Sequence, residues 1–452
     1  MMRRILYPVV MCLVAFTAFG HTTRQITHNE NQSTEYQSIS PEAIGAVDSL
    51  SIILGDVYGI VYGEKLHGII DADIDTEQVT KTINQIFNSQ EGKDYIIGKQ
   101  FGLTFAQINQ KLRDDYGCDL NKQLLLEHLK AELLTENPID PYTSYAMEVK
   151  MIDFLEQIYS NGEAPSDALT DSLSSIMGTV DGFKIRYAFS KQDADFEQLF
   201  KGIEYSFEQE YDKTAAIEQA GIEIVQIFND TQERAHMPLN KDLFMEHLIS
   251  GLSVESTGFM EHLISGLSVE STGEEDLSGL SVESSGEEDL SGLSVESSGE
   301  EDLQTLSDKI DPLIKRVAGL SPDGIANKKA GEAYMEQLRK DQSFKFTNSG
   351  LAYKMLKEGN GKNSTEDDEV KVVNYVGKHL DGTVFDSSEG EPMPRIKYEI
   401  KGVSEMLQLM KPGDKAIVVI PSNLAYGAIS NNYAIGPNET LIFEIEIIDS
   451  LK

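Results

Sequence analysis

The side chains able to do chemistry in this 452-residue chain are few and scattered. His128 and His247 each follow a glutamate on a helical apolar stripe, and a metal there would draw on a second ring or thiolate one turn away. Neither has a histidine or cysteine at i+4, so the spacing predicts exposed helical histidines and no metal site. Three Glu-Glu-Asp triplets, at 274–276, 287–289 and 300–302, offer hard oxygen ligands for calcium. They lack the loop glycine and the ligand spacing of a calcium loop. Cys12 and Cys118 are the only thiols, too few for a disulfide framework or a four-thiolate site. His379 is the only histidine in the last hundred residues, and no Ser-His-acid arrangement accompanies it, which makes a hydrolase a poor reading. What remains is aromatic: Tyr375, Phe385-Asp386, Tyr426-Gly427 and Phe443. Taken singly, Tyr375 and Phe443 fit strand cores, Asp386 fits a cap after a turn, and Tyr426 fits a loop anchor.

The elements that would position them begin with an export signal. Met1-Met2-Arg3-Arg4 precedes an apolar run from Ile5 to Phe19, with small Ala18 and Gly20 at its end. This is the pattern of a secretory signal peptide cut near Gly20-His21, and the run is short for a membrane span. Cleavage would leave Cys118 as the one thiol, so stability must come from packing. The 75 acidic residues against 38 basic ones give a formal charge of −37, which excludes neutralising nucleic-acid phosphates and disfavours an anionic lipid surface.

Two kinds of repetition follow. Asp48-Ser49-Leu50-Ser51 with Gly55 and Gly59 recurs as Asp171-Ser172-Leu173-Ser174 with Gly178 and Gly182, an offset of 123. Leu120-Asn121-Lys122, Leu124 and Glu127-His128-Leu129 recur as Leu239-Asn240-Lys241, Leu243 and Glu246-His247-Leu248, an offset of 119. Leu120, Leu124, Leu125, Leu129, Leu133 and Leu134 form a helical stripe, with Asp119 and Asn121 as caps ahead of it. Each copy is expected to be a small helical domain. The second repetition is nearly perfect: FMEHLISGLSVESTG fills 244–258 and again 259–273, then EEDLSGLSVESSG runs twice more. No lysine or arginine lies between Asp242 and Asp308, and serine, glycine and acid at this density predict an acidic linker.

Beyond residue 342 the texture changes to strands. Residues 351–356, 369–376, 415–420 and 441–448 alternate or run apolar, with turn signals at Gly359-Asn360-Gly361, Asp381-Gly382 and Pro412-Gly413-Asp414 and a short helical stretch from Ser404 to Met410. Antiparallel strands around one short helix is the fold this predicts. Here Asn374-Tyr375-Val376-Gly377, Asp381-Gly382-Thr383-Val384-Phe385-Asp386-Ser387-Ser388, Glu405 to Met410, Leu424-Ala425-Tyr426-Gly427 and Pro437-Asn438-Glu439-Thr440-Leu441-Ile442-Phe443 resemble the signature of FKBP-type peptidyl-prolyl isomerases. Residues 327–356 resemble the long connecting helix of macrophage-infectivity-potentiator-like members, whose helical amino-terminal domain dimerises. Ser49-Leu50-Ser51 with Gly55 and Gly59 resembles that domain.

The resemblance implies a proline pocket walled by Tyr375, Phe385 and Phe443. Asp386 and Tyr426 would supply polar contacts, the Ile400 N–H would meet a substrate carbonyl, and Ile435 would close one side. Val403, after Gly402, stands where the family usually has a tryptophan floor, and it makes a shallower one. The segment Glu389 to Tyr398 is shorter than usual, with Met393 its nearest apolar substitute. Glu399, Asn431 and Ala434 also depart from the pattern.

The whole reads as an α+β multidomain chain. A signal peptide (1–20) and a flexible segment (21–45) precede helical modules at 46–160 and 165–252. An acidic repeat linker (253–302), connecting helices (303–343) and an FKBP-like antiparallel sheet wrapped around a short helix (344–452) complete it. The implied activity is peptidyl-prolyl cis-trans isomerisation on exported proline-containing clients, with no cofactor and no metal. The alternative is an FKBP-like chaperone or peptide-binding module of low activity. The related modules pair between chains, so either a homodimer or an internal pseudo-dimer is expected. The expected location is the periplasm or the outer membrane.

Overall fold

The computed structural model describes residues 39–70, 74–161, 164–190, 194–253, 299–360, 370–388, 393–395, 400–428 and 434–451. The segment expected as a signal peptide and nearly all of the acidic repeats lie outside these residues. The chain divides into two compact units. One holds 58–229 and 248–255, the other holds 26–57, 230–247 and 256–452.

Four helices come from the first copy of the repeat: α1 (Pro41–Ile70), α2 (Thr76–Phe87), α3 (Lys93–Tyr116) and α4 (Lys122–Leu134). Helix α5 (Pro141–Asn161) follows, and then come α6 (Asp167–Phe189), α7 (Phe196–Phe207), α8 (Lys213–Ala235) and α9 (Lys241–Leu252) from the second. The first helix starts at Pro41, inside the segment expected to be flexible. Among the described residues, α1 is also the one helix long and apolar enough to cross a bilayer. Half of its apolar window is buried within the protein.

The two copies do not fold as separate small domains, as the repeat had suggested. In the first unit α3 packs along α7 and α4 along α6, so each copy buries its stripe against the other. The residues that mark the repeat make these cross-copy contacts. Asn121 accepts the Leu124 N–H as N-cap of α4, donates from Nδ2 to Asp171 Oδ1 at 2.8 Å, and donates its main-chain N–H to Ser174 Oγ at 2.9 Å. In the second unit Asn240 does the same toward Asp48 at 2.8 Å and Ser51 at 2.9 Å. A side-chain cap is worth about 1 kcal/mol on its own, and here each cap also fixes a helix crossing. Gly182 allows the α6 backbone to reach Leu129 on α4, where a Cβ would sit 2.8 Å from the Leu129 carbonyl oxygen. Gly59 lies in the same relation to Leu248.

The histidines expected to be exposed belong to these crossings and are half-buried. His128 Nδ1 lies 3.2 Å from Thr179 Oγ1, and His247 Nδ1 lies 2.8 Å from Asp56 Oδ1. Glu132, one turn after His128, is engaged elsewhere through the Ile139 N–H. Among the described residues no group of three or more His, Cys, Asp or Glu is placed to hold a metal.

Helix α10 (Gly299–Leu320) is the next described element. Ile310-Asp311 and Leu313 match Ile152-Asp153 and Leu155 in spacing. Asp311 pairs with Arg234 at the end of α8, and Tyr159 of α5 lies tilted at 54° against Tyr116 at the end of α3. Helix α11 (Pro322–Lys340) follows, with Ser321 as N-cap and Pro322 in its first turn, where a missing N–H costs nothing.

The carboxyl-terminal sheet contains β1 (Lys345–Phe346), β2 (Ala352–Lys357), β3 (Val370–Lys378), β4 (Val384–Ser387), β5 (Met393–Arg395), β6 (Lys415–Ile420) and β7 (Leu441–Leu451). Its order is β1-β2-β6-β7-β3-β4, with β5 beside β3, and every pairing is antiparallel. Strand alternation sends Val418, Ile420, Phe443, Ile445 and Ile447 to one face, where Met406 and Leu407 of helix α12 (Lys401–Leu409) and Met410 just beyond it complete the core. The opposite face presents Ala352, Val419 and Ile442 to Met335 and Leu338 of α11. The connecting helix thus covers the sheet rather than standing apart from it.

Candidate functional site

The site lies where the core face of β3, β4 and β7 meets α12. Tyr375 is opposite Ile445 and Gly377 is opposite Phe443 across the β3–β7 ladder, while Asp386 of β4 is opposite Gly377. Gly377 is needed for this contact, because a Cβ there would lie 2.6 Å from the Phe385 ring and 3.1 Å from Phe443. The rings fill the space so left. Phe385 meets Phe443 edge to face at 5.6 Å, and Tyr375 lies tilted against Phe443 at 6.4 Å. Such pairs add about 0.5–1.5 kcal/mol beyond the area they bury.

Ile400 and Ile435 are buried in the same cluster, and Val403, Leu424 and Tyr426 pack half-buried against it. Seven of the nine expected site residues are therefore neighbours in one apolar cluster. Asp386 is exposed at its rim, where its Oδ2 accepts the Tyr375 hydroxyl at 2.8 Å. The ninth, Met393, pairs its backbone with Val373. Its side chain lies outside the described residues, with those of Glu389 to Glu399, as does Asn431.

Local structure explains each placement. Tyr375 is held from both sides of its peptide: Ser388 Oγ accepts its N–H at 3.2 Å, and the Ser388 N–H donates to its carbonyl at 3.0 Å. The β3–β4 turn closes on Gly382 at φ +90°, and the Thr383 N–H holds the Asp381 carboxyl below its ordinary range. Ile400 is the N-cap of α12, where its extended backbone and its carbonyl, which accepts the Ser404 N–H at 3.1 Å, start the helix beside the cluster.

The loop before β7 is tied to the connecting helices. Asn438, at φ +56°, donates its N–H to Gly427 O at 2.8 Å and its side chain to Gly319 O and Gly324 O at 3.4 and 3.3 Å. Asn327 of α11 donates to Pro437 O at 3.0 Å. Sequence reasoning missed Ser388, Asn327 and the pair His379–Glu439. Ser388 and Glu439 stood within quoted motifs, but no local pattern named their partners.

A largely buried aromatic cluster with one carboxylate at its rim can grip an apolar ring and offer a polar contact to a flanking amide. Residues 361–448 match the family of FKBP-type peptidyl-prolyl cis-trans isomerases, and the carboxyl-terminal domain belongs to it. Two of the relatives are the following bacterial proteins. The probable FKBP-type peptidyl-prolyl cis-trans isomerase FkpA of Neisseria meningitidis is 42% identical over 137 residues, 30% of this chain and 50% of that protein. The outer membrane protein MIP of Legionella longbeachae is 39% identical over 145 residues, 31% of this chain and 62% of that protein. The chain thus spans 50% and 62% of the length of these two relatives. The crystal structure of FkpA from Escherichia coli aligns with 51% of this chain and 90% of that one, at 26% identity and a TM-score of 0.29.

Proposed function

We propose that this chain is a peptidyl-prolyl cis-trans isomerase that assists the folding of exported proteins. The observation that carries the reading is the ring trio Tyr375–Phe385–Phe443 with the Tyr375–Asp386 hydrogen bond on its edge. An Xaa-Pro amide isomerises slowly because resonance sets a barrier of roughly 18–20 kcal/mol. Twisting the amide removes that resonance and leaves a carbonyl that is no longer conjugated. Phe385, Phe443, Ile435 and Val403 take the proline ring out of water, and the Ile400 N–H bonds the carbonyl beyond it. Tyr426, half-buried against the cluster, and Asp386, at its exposed rim, give the twisted amide polar contacts. No covalent step, metal or cofactor enters this scheme.

The test is NMR exchange of an Ala-Pro tetrapeptide in the presence of the full chain. Accelerated exchange, lost in Phe385→Ala and Asp386→Ala, is the expected result. No acceleration by a folded chain overturns the reading in favour of a peptide-binding module.

A second reading concerns partners. The reciprocal caps, Asn121 on Asp171 and Asn240 on Asp48, support an internal pseudo-dimer in which one chain supplies both halves of the helical pairing. Sedimentation equilibrium should then give a monomer near 50.1 kDa, less any cleaved leader. A tight dimer at micromolar concentration would contradict it. For location, the signal-like residues 1–20 and the likeness to the outer membrane protein MIP of Legionella longbeachae support export to the periplasm or outer membrane.

A further inference from the structure

The Glu439 carboxylate stands between two segments that each carry a pocket wall. Its Oε1 lies 2.5 Å from His379 Nδ1, and the two side chains are only 15% and 20% exposed. Its Oε2 accepts the Gly436 N–H at 2.8 Å. The His379 ring packs edge-on against Phe385, with centroids 5.2 Å apart and planes at 62°. Gly436 directly follows Ile435, which is buried in the pocket cluster. The backbone of His379 is fixed independently of Glu439. Its N–H donates to Thr383 O at 2.9 Å, and its carbonyl accepts the Gly382 N–H at 3.0 Å. The turn therefore sets where the imidazole begins, and Glu439 sets where it points.

We propose that Glu439 and His379 are positioning residues of the proline pocket: one carboxylate ties the Phe385 wall to the Ile435 wall and so fixes the width between them. Neither touches the reacting amide in this scheme. A solvated rim ion pair would contribute little. Glu439 differs because both of its oxygens are engaged, each toward a different segment, and it is mostly out of solvent. Losing it frees a ring on one wall and a main-chain N–H on the other.

The proposal rests on the isomerase reading for what the pocket does, so the test carries two readouts. Full-chain wild type, Glu439→Ala, Glu439→Gln, His379→Leu, His379→Asn and the double variant His379→Leu/Glu439→Ala are compared. The first readout is catalysed exchange of an Ala-Pro tetrapeptide, and the second is affinity for that peptide. Glu439→Ala should lower kcat/KM about tenfold, the scale of losing hydrogen bonds to a charged group. Glu439→Gln and His379→Leu should fall between it and wild type. The double variant should be no worse than Glu439→Ala, because the histidine acts through the carboxylate. His379→Asn keeps a donor near the Nδ1 position and should recover part of the loss, which a merely structural role would not predict.

Additive losses in the double variant, or a folded Glu439→Ala within about twofold of wild type, overturn the proposal. If wild type fails to accelerate exchange, the isomerase reading falls and affinity decides. A tenfold weaker peptide complex in Glu439→Ala supports the tie, and unchanged affinity removes it. If Glu439→Ala lacks a cooperative melt, Glu439→Gln and His379→Leu are judged by the same criteria.

Discussion

At the residue scale two side chains carry distinct consequences. The Tyr375 hydroxyl bonds Asp386 at an exposed rim while its ring lies against Phe443. Tyr375→Phe keeps the ring and removes the bond. The expected outcome is a loss of roughly threefold in kcat/KM, with a melting temperature within a degree or two of wild type, since an exposed neutral donor is worth about 1 kcal/mol or less. Peptide-exchange kinetics beside a thermal melt check it. Asp181 on α6 is the reverse case: it is fully buried, and neither carboxylate oxygen has a hydrogen-bond partner. Burial pushes its pKa up from 3.8 to about 7, with Glu148 adding to the rise and Lys184 opposing it. A carboxyl that is harder to ionise in the folded state stabilises it only while protonated. That stability is full below pH 4 and drains away as pH rises toward 7. Asp181→Asn should flatten this slope and raise stability at pH 8 by a few kcal/mol, on the order set by about three pK units. Urea melts at pH 5 and pH 8 decide it, and a variant with the wild-type slope would remove Asp181 as the cause.

At the scale of elements, α11 is part of the carboxyl-terminal sheet domain in packing though it precedes it in sequence. Met335 and Leu338 bury against Ala352 and Val419, and Asn327 holds the Pro437 carbonyl in the loop that carries Ile435. A fragment beginning at residue 344 loses these contacts. It should be less stable than one beginning at 299 by several kcal/mol, since burying each Met or Leu is worth about 1.5–3 kcal/mol. Its exchange activity should also be lower at equal concentration, because the loop loses its tether. Denaturant melts of the two fragments test the first point, and matched stability would show that α11 contributes nothing to the sheet. The strands were legible in sequence because apolar alternation is local. The covering helix was legible as a helix, but nothing in its own pattern identified the sheet face it covers.

At the scale of the molecule, the duplication has a structural meaning that a repeat alone does not. The Asp-Ser-Leu-Ser segments and the Leu-Asn-Lys segments are the two sides of one contact, made once as Asn121 on Asp171 and once as Asn240 on Asp48. Within this one chain the helices of each copy pack along helices of the other, α3 on α7 and α4 on α6. In sequence the acidic repeats fall between α9 and α10, outside the described residues.

The sequence by itself determined which residues are apolar on one face, where helices and strands run, and that Tyr375, Phe385, Tyr426 and Phe443 belong to one recognisable pattern. These are short-range properties, since periods of two and 3.6 residues, caps and turns are set by neighbours along the chain. Only the tertiary structure decided that the two copies pack crosswise, that His128 and His247 lie in helix crossings, and that α11 closes the sheet. It also decided that Glu439 reaches His379 across 60 positions of sequence. A stripe states that a face must be buried without stating against what. The choice among partners is made by chain topology and close packing, which no local period records.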